Sequence, residues 1–150
     1  MFTQPCFIRK NTPEIRQKLE ELGYKPSYPI FQYPEVFKHI AACNFFGSKY
    51  YGVSDDEVSH HGEIKDAIKN RGMIDCETNE KLFLALAALR DDTDRYQWFI
   101  YDSMDCKIEE LRDRFWFKCE EDKVQDHMFY DAMYLNCKKA TVEEIIKYFK

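Results

Sequence analysis

Residues 79–90 read Asn-Glu-Lys-Leu-Phe-Leu-Ala-Leu-Ala-Ala-Leu-Arg. Leu82, Phe83, Leu84, Leu86 and Leu89, with alanines between them, leave almost no polar face once the segment is coiled into a helix. A helix that is apolar all round is normally a buried one. It falls short of the roughly 20 apolar residues that cross a bilayer, so its place is the centre of a packed core. On its N-terminal side, Met73–Cys76 has strand character. On its C-terminal side, the polar turn Asp91-Asp92-Thr93-Asp94-Arg95 leads into Tyr96–Tyr101, a second strand. The stretch Met73–Tyr101 therefore predicts strand, helix, strand, and the remaining chain must supply what covers that helix.

Outward from this centre, Thr12 and Pro13 open a helix. The threonine hydroxyl caps it, and proline occupies the first helical position, where its missing N–H costs nothing. Ile15, Leu19 and Leu22 share one face of that helix, and Gly23 ends it. Pro5–Arg9, His39–Phe46, Lys49–Val53, Phe115–Cys119 and Phe129–Cys137 have strand character. Gly47 makes a hairpin of the second and third. The prolines at 26, 29 and 34 exclude helix and central strand from Lys25–Glu35 and leave an extended aromatic segment. Glu63–Asn70 forms a short helix with Ile64, Ala67 and Ile68 inward. Thr141 and Glu144 form a capping box that starts a final helix. Thr12, Thr78 and Thr141 each follow a short strand and precede a helix. The fold class is α+β with an α/β-like order: a mixed sheet of about five to seven strands carrying three main helices, in one domain spanning 1–150. Strands with aromatics on both faces, such as Tyr96–Tyr101, fit a sheet covered on both sides.

The 150 residues are enough to bury a core. A net charge of −5 without any lysine or arginine block argues against general nucleic-acid binding. Residues 1–6 show no basic-then-apolar export signal. The six cysteines, none in a C-x-x-C pair, read as free thiols of a reducing cytoplasm. No glycine-rich phosphate loop and no nucleophile elbow is present, so the sequence calls for no cofactor and no catalytic residue. One acid–histidine cluster offers an alternative reading. Asp55, Asp56, His60, His61 and Glu63 could ligate a divalent metal in a hydrolase.

Aromatic residues make up 16% of the chain, more than a core of this size absorbs comfortably. Tyr28, Tyr33, Tyr50, Tyr51, Trp98 and Trp116 are the candidates for a recognition surface. Arg9, Arg71 and Arg95 are the cations that would orient an anionic ligand on it. The expected function is a non-enzymatic binding protein. Its partner would be a small, nucleotide-like ligand or another protein, with no membrane involved. Homo-oligomerisation through exposed aromatics is the structural alternative.

Two phrases, Thr-Pro-Glu-Ile-Arg-Gln-Lys-Leu-Glu-Glu-Leu-Gly-Tyr at 12–24 and Asn-Glu-Lys-Leu-Phe-Leu-Ala-Leu-Ala-Ala-Leu-Arg-Asp-Asp at 79–92, resemble small proteins carried by phages and mobile elements of Bacteroides-type gut bacteria. The resemblance brings no activity and no site residues with it. It implies a host-directed accessory role, of the kind that inhibits a host protein or sequesters a nucleotide signal.

Overall fold

The computed structural model describes residues 1–27, 35–43, 47–59, 63–102, 116–118 and 136–150. The fold is α+β, built on a mixed sheet of five strands. In chain order the described elements are β1 (Cys6–Ile8), α1 (Pro13–Leu22), β2 (Lys25–Pro26), β3 (His39–Cys43), β4 (Lys49–Val53), α2 (Asp55–Ser59), α3 (Glu63–Asn70), β5 (Ile74–Asp75), α4 (Glu80–Ala87), β6 (Trp98–Asp102), β7 (Trp116–Lys118), β8 (Asn136–Lys139) and α5 (Val142–Phe149).

The main sheet has the order β2-β4-β3-β1-β5. The β1–β3 and β3–β4 pairs are antiparallel, while β1–β5 and β2–β4 are parallel. The last three strands form a separate antiparallel sheet, β7-β6-β8, rather than extending the first. Of proline-rich Lys25–Glu35, the described residues include the two-residue strand β2, at an edge, where a missing N–H is tolerated.

Every residue of β1 and β3 is buried, which requires cover on both faces. Side chains alternate across these strands and feed two cores. Cys6, Ile8, Ile40, Ala42 and Tyr50 point to one side, where they meet Ile15 and Leu19 of α1, Leu82, Phe83 and Leu86 of α4, and Ile145 of α5. Phe7, Ala41 and Val53 point to the other, against Ile64 and Ala67 of α3 and against Met73. The doubly covered strands are thus β1 and β3. In β6, Phe99 is buried whereas Trp98 and Ile100 are half-buried against the first core.

The caps follow local chemistry. Thr12 accepts from the Ile15 N–H at 3.2 Å, and Gly23 closes α1 at φ +112°, a conformation that suits glycine. A β-carbon at Gly23 would also stand 3.2 Å from an Arg90 guanidinium nitrogen. Thr141 and Glu144 complete the expected capping box of α5. The cap of α4, however, is Asn79 and not Thr78: its side-chain oxygen accepts from Leu82 N–H at 3.1 Å. Two other boundaries differ from expectation. Polar Asp55–Ser59 coils into α2, and the final strand runs through Lys139, beyond Cys137.

Three of the cysteines, Cys6, Cys43 and Cys76, are buried. Burial pushes the Cys76 thiol up to about 12, so it packs as a small hydrophobe. Tyr24 is buried with its hydroxyl donating to the Ala87 carbonyl at 2.7 Å, and its ring lies 4.0 Å from that of Phe2. The Arg90 guanidinium covers the other partner of that pair, 4.4 Å from the Phe2 ring centre.

The start of α2 is tied back to β3. Asp55 meets the His39 imidazole at 2.6 Å and the Lys38 ammonium at 3.2 Å. The His39 hydrogen bond, then Lys38, hold the Asp55 carboxyl below its ordinary value. A carboxylate with a lowered folded-state pKa stabilises the fold above its unfolded value. That stabilisation is lost as pH falls through the lowered one.

Two outcomes are expected. Phe83→Ala, at a position with no solvent exposure, should cost roughly 3–5 kcal/mol in urea unfolding, since the cavity left in a surrounded helix has little freedom to collapse. Asp55→Asn should lower the urea midpoint at pH 7, and the gap from the parent chain should close as pH falls below the ordinary carboxylate range. A gap that persists at pH 2 would place the effect elsewhere than in the ionised carboxylate.

Candidate functional site

The described residues enclose a cavity of about 320 Å³ between α1, α4, α5 and the strands β6 and β7. Helix periodicity explains its walls. Lys18, Glu21 and Leu22 stand at i, i+3 and i+4 of α1, and Lys81, Leu84 and Ala85 stand at i, i+3 and i+4 of α4, so each helix gives one stripe with a lysine at its end. Ala85 leaves room where a larger residue would close the gap. Trp98 and Phe149 supply the aromatic floor, with ring centres 5.2 Å apart in an edge-on arrangement. Tyr96 and Lys118 complete the rim.

Among the described residues the lining is mainly apolar and aromatic, with Lys18, Lys81 and Lys118 against the one carboxylate of Glu21. Among the described residues none of these lysines is in an ion pair. The local charge is therefore positive although the chain as a whole is negative. An apolar pocket with a few convergent charges is the usual form of a small-molecule site.

Tyr96 stands at the edge of this cavity with φ +65°, a left-handed conformation that an aromatic residue seldom adopts. Arg95 lies 5.1 Å from its ring centre and Lys118 5.5 Å. The turn that holds Tyr96 is pinned from beneath. Gln97 is fully buried and its amide donates to the carbonyls of Arg90, at 3.0 Å, and Thr93. Lys139 joins from β8, donating to the Arg90 carbonyl at 3.1 Å and pairing with Asp94 at 3.1 Å. Arg90 itself grips Asp92 with two nitrogens, at 2.8 and 2.6 Å, and holds that carboxyl well below the usual range.

Beyond Tyr96 lies a more polar cleft of about 500 Å³, with Arg95, Arg90, Asp92 and Thr93 along it. The two spaces share Glu21, Leu22 and Tyr96 in their walls.

The residues singled out in the sequence scatter across this structure. Trp98 and Arg95 line the two adjoining spaces. Tyr50 is a core residue rather than a surface anchor: it is fully buried, and its hydroxyl donates to Glu20 at 2.9 Å. Tyr51 is half-buried on the main sheet. Arg9 pairs with Asp75 at 2.9 Å and Arg71 with Asp66 at 3.3 Å, both away from the cavity. Tyr28 and Tyr33 lie outside the described residues, and Trp116 is described as part of β7 only.

Of the acid–histidine cluster, His60 and His61 also lie outside them. Asp55 is engaged by His39 and Lys38, Asp56 belongs to α2, and Glu63 begins α3. Among the described residues no group of three or more potential ligands gathers around a metal-sized space. No described helix is long and apolar enough to cross a membrane.

Lys18, Lys81, Lys118, Tyr96 and Phe149 were not singled out from the sequence. For the two helical lysines a signal existed: each sits one turn before inward-facing apolar residues of its helix, Leu22 on α1 and Leu84 and Ala85 on α4. Comparison with protein-family models, with curated proteins and with solved structures finds no match for this chain.

Proposed function

We propose that the protein binds, without transforming it, a small anionic molecule with a flat ring, of nucleotide type, in the cavity between α1, α4 and α5. One observation carries this reading: three lysines that form no ion pair among the described residues line a cavity with an aromatic floor formed by Trp98 and Phe149. A base-like ring stacked on aromatic faces gains about 1–3 kcal/mol, and lysine ammonium groups attract phosphate as point charges. In the setting implied by the resemblance of 12–24 and 79–92, the role is that of an accessory factor of a phage or mobile element that sequesters its ligand.

The test is thermal unfolding of the purified chain against adenosine, guanosine, cytidine and uridine mono- and triphosphates. A ligand bound only by the folded state at about 100 times its Kd stabilises by about 2.7 kcal/mol, which for a chain of this size is roughly 5–10 °C. At least one nucleotide should reach that shift. Lys81→Glu, which reverses one rim charge at an exposed position, should remove it without lowering the unliganded midpoint. No shift with any nucleotide would overturn the reading and direct attention to a protein partner.

A further inference from the structure

We infer that the ligand is a dinucleotide: two base-like rings joined through phosphate, one ring in each of the two adjoining spaces. This rests on the reading of the first cavity as a nucleotide site. At about 320 Å³ that cavity is at the small end for ligand pockets and suits a single ring with its sugar. The second space adds about 500 Å³ and is reached past Tyr96, which belongs to both walls.

Cations stand on both sides of that partition. Lys118 lies over the Tyr96 ring from the first cavity and Arg95 from the second cleft. Among the described residues Arg95 has no carboxylate partner, in contrast to Arg90, whose guanidinium is committed to Asp92. An exposed arginine fork without a carboxylate, beside an aromatic ring, suits a bridging phosphate or a stacked base.

The backbone supplies an independent observation. Tyr96 holds φ +65°, and a residue kept in that region costs about 1–3 kcal/mol that its surroundings must offset. Gln97, fully buried, and Lys139 anchor the turn on either side of the Arg90 carbonyl and fix that conformation. The outcome is a ring held between two spaces, with one cation beside it from each. A ligand confined to the first space would leave Arg95 unused.

Isothermal titration distinguishes this from the simpler site. The probes are adenosine monophosphate, the linear dinucleotide pApA and cyclic di-adenosine monophosphate, titrated into the parent chain, Arg95→Ala and Lys81→Glu. The expected result is at least tenfold tighter binding of one of the two-base probes than of the monophosphate. Arg95→Ala should shrink that ratio to about twofold or less. The linear and cyclic arms show which connection the spaces accept. Equal affinities for all probes, or a dinucleotide advantage that survives Arg95→Ala, would overturn the inference. The single-nucleotide site would then still stand if Lys81→Glu abolishes binding of the monophosphate. Failure of every probe to bind would overturn both.

Discussion

The burial of α4 is the constraint from which the rest of the architecture follows. Leu82, Phe83 and Leu86 bury most of the surface of α4, and each fully buried side chain of this size stabilises the fold by about 1.5–3 kcal/mol. Such a helix has to be surrounded. The main sheet covers it through Cys6, Ile8 and Ile40, α1 through Ile15 and Leu19, and α5 through Ile145. The second sheet supplies Trp98 and Ile100. The two fully buried strands β1 and β3 extend the same logic, since their other face needs α3 and Met73.

The cavity is what remains where this enclosure is incomplete. On the side of α4 that carries Leu84 and Ala85, the neighbours are the end of α1, the end of α5 and the mouth of the second sheet. Alanine at 85 does not fill the space that those ends leave. The surrounding side chains are then of two kinds: rings that tolerate a half-wet position, and lysines whose stems lie on apolar surface while their charges reach water. A site of this composition arises at the meeting of several elements, which is also where three rim lysines gather in a chain of net charge −5.

Elements set by strong local chemistry were legible in the sequence. Thr12-Pro13 with Gly23, the hairpin strands before and after Gly47, and the Thr141–Glu144 box all carry their physical cause within a few residues. What depended on competition between neighbours was not. Thr78 and Asn79 are both good caps, and the register of α4 chose Asn79. The separation of β6, β7 and β8 into their own sheet is a long-range choice that strand pattern alone does not encode. The site was half legible. Trp98 and Arg95 stood out by type, but Tyr50 shares that type and is a core residue, because tyrosine marks interiors and surfaces alike. The lysines became meaningful only once α1 and α4 were placed side by side.

Asn79 ties the core helix to the wall of the cavity. Its side-chain oxygen caps α4 by accepting from Leu82, and its side-chain nitrogen donates at 2.6 Å to the carbonyl of Phe149, the last residue of α5. Serine, threonine and aspartate are all acceptable caps. None of them offers an acceptor and a separate donor about one amide apart. The alphabet allowed at this position is therefore narrower than capping alone would permit. A change to aspartate would keep the helix start while setting a carboxylate against a carbonyl, and the first thing displaced would be the ring of Phe149. Variation at residue 79 thus acts as a tuning point for the shape of the cavity, exerted from a side chain that does not line it.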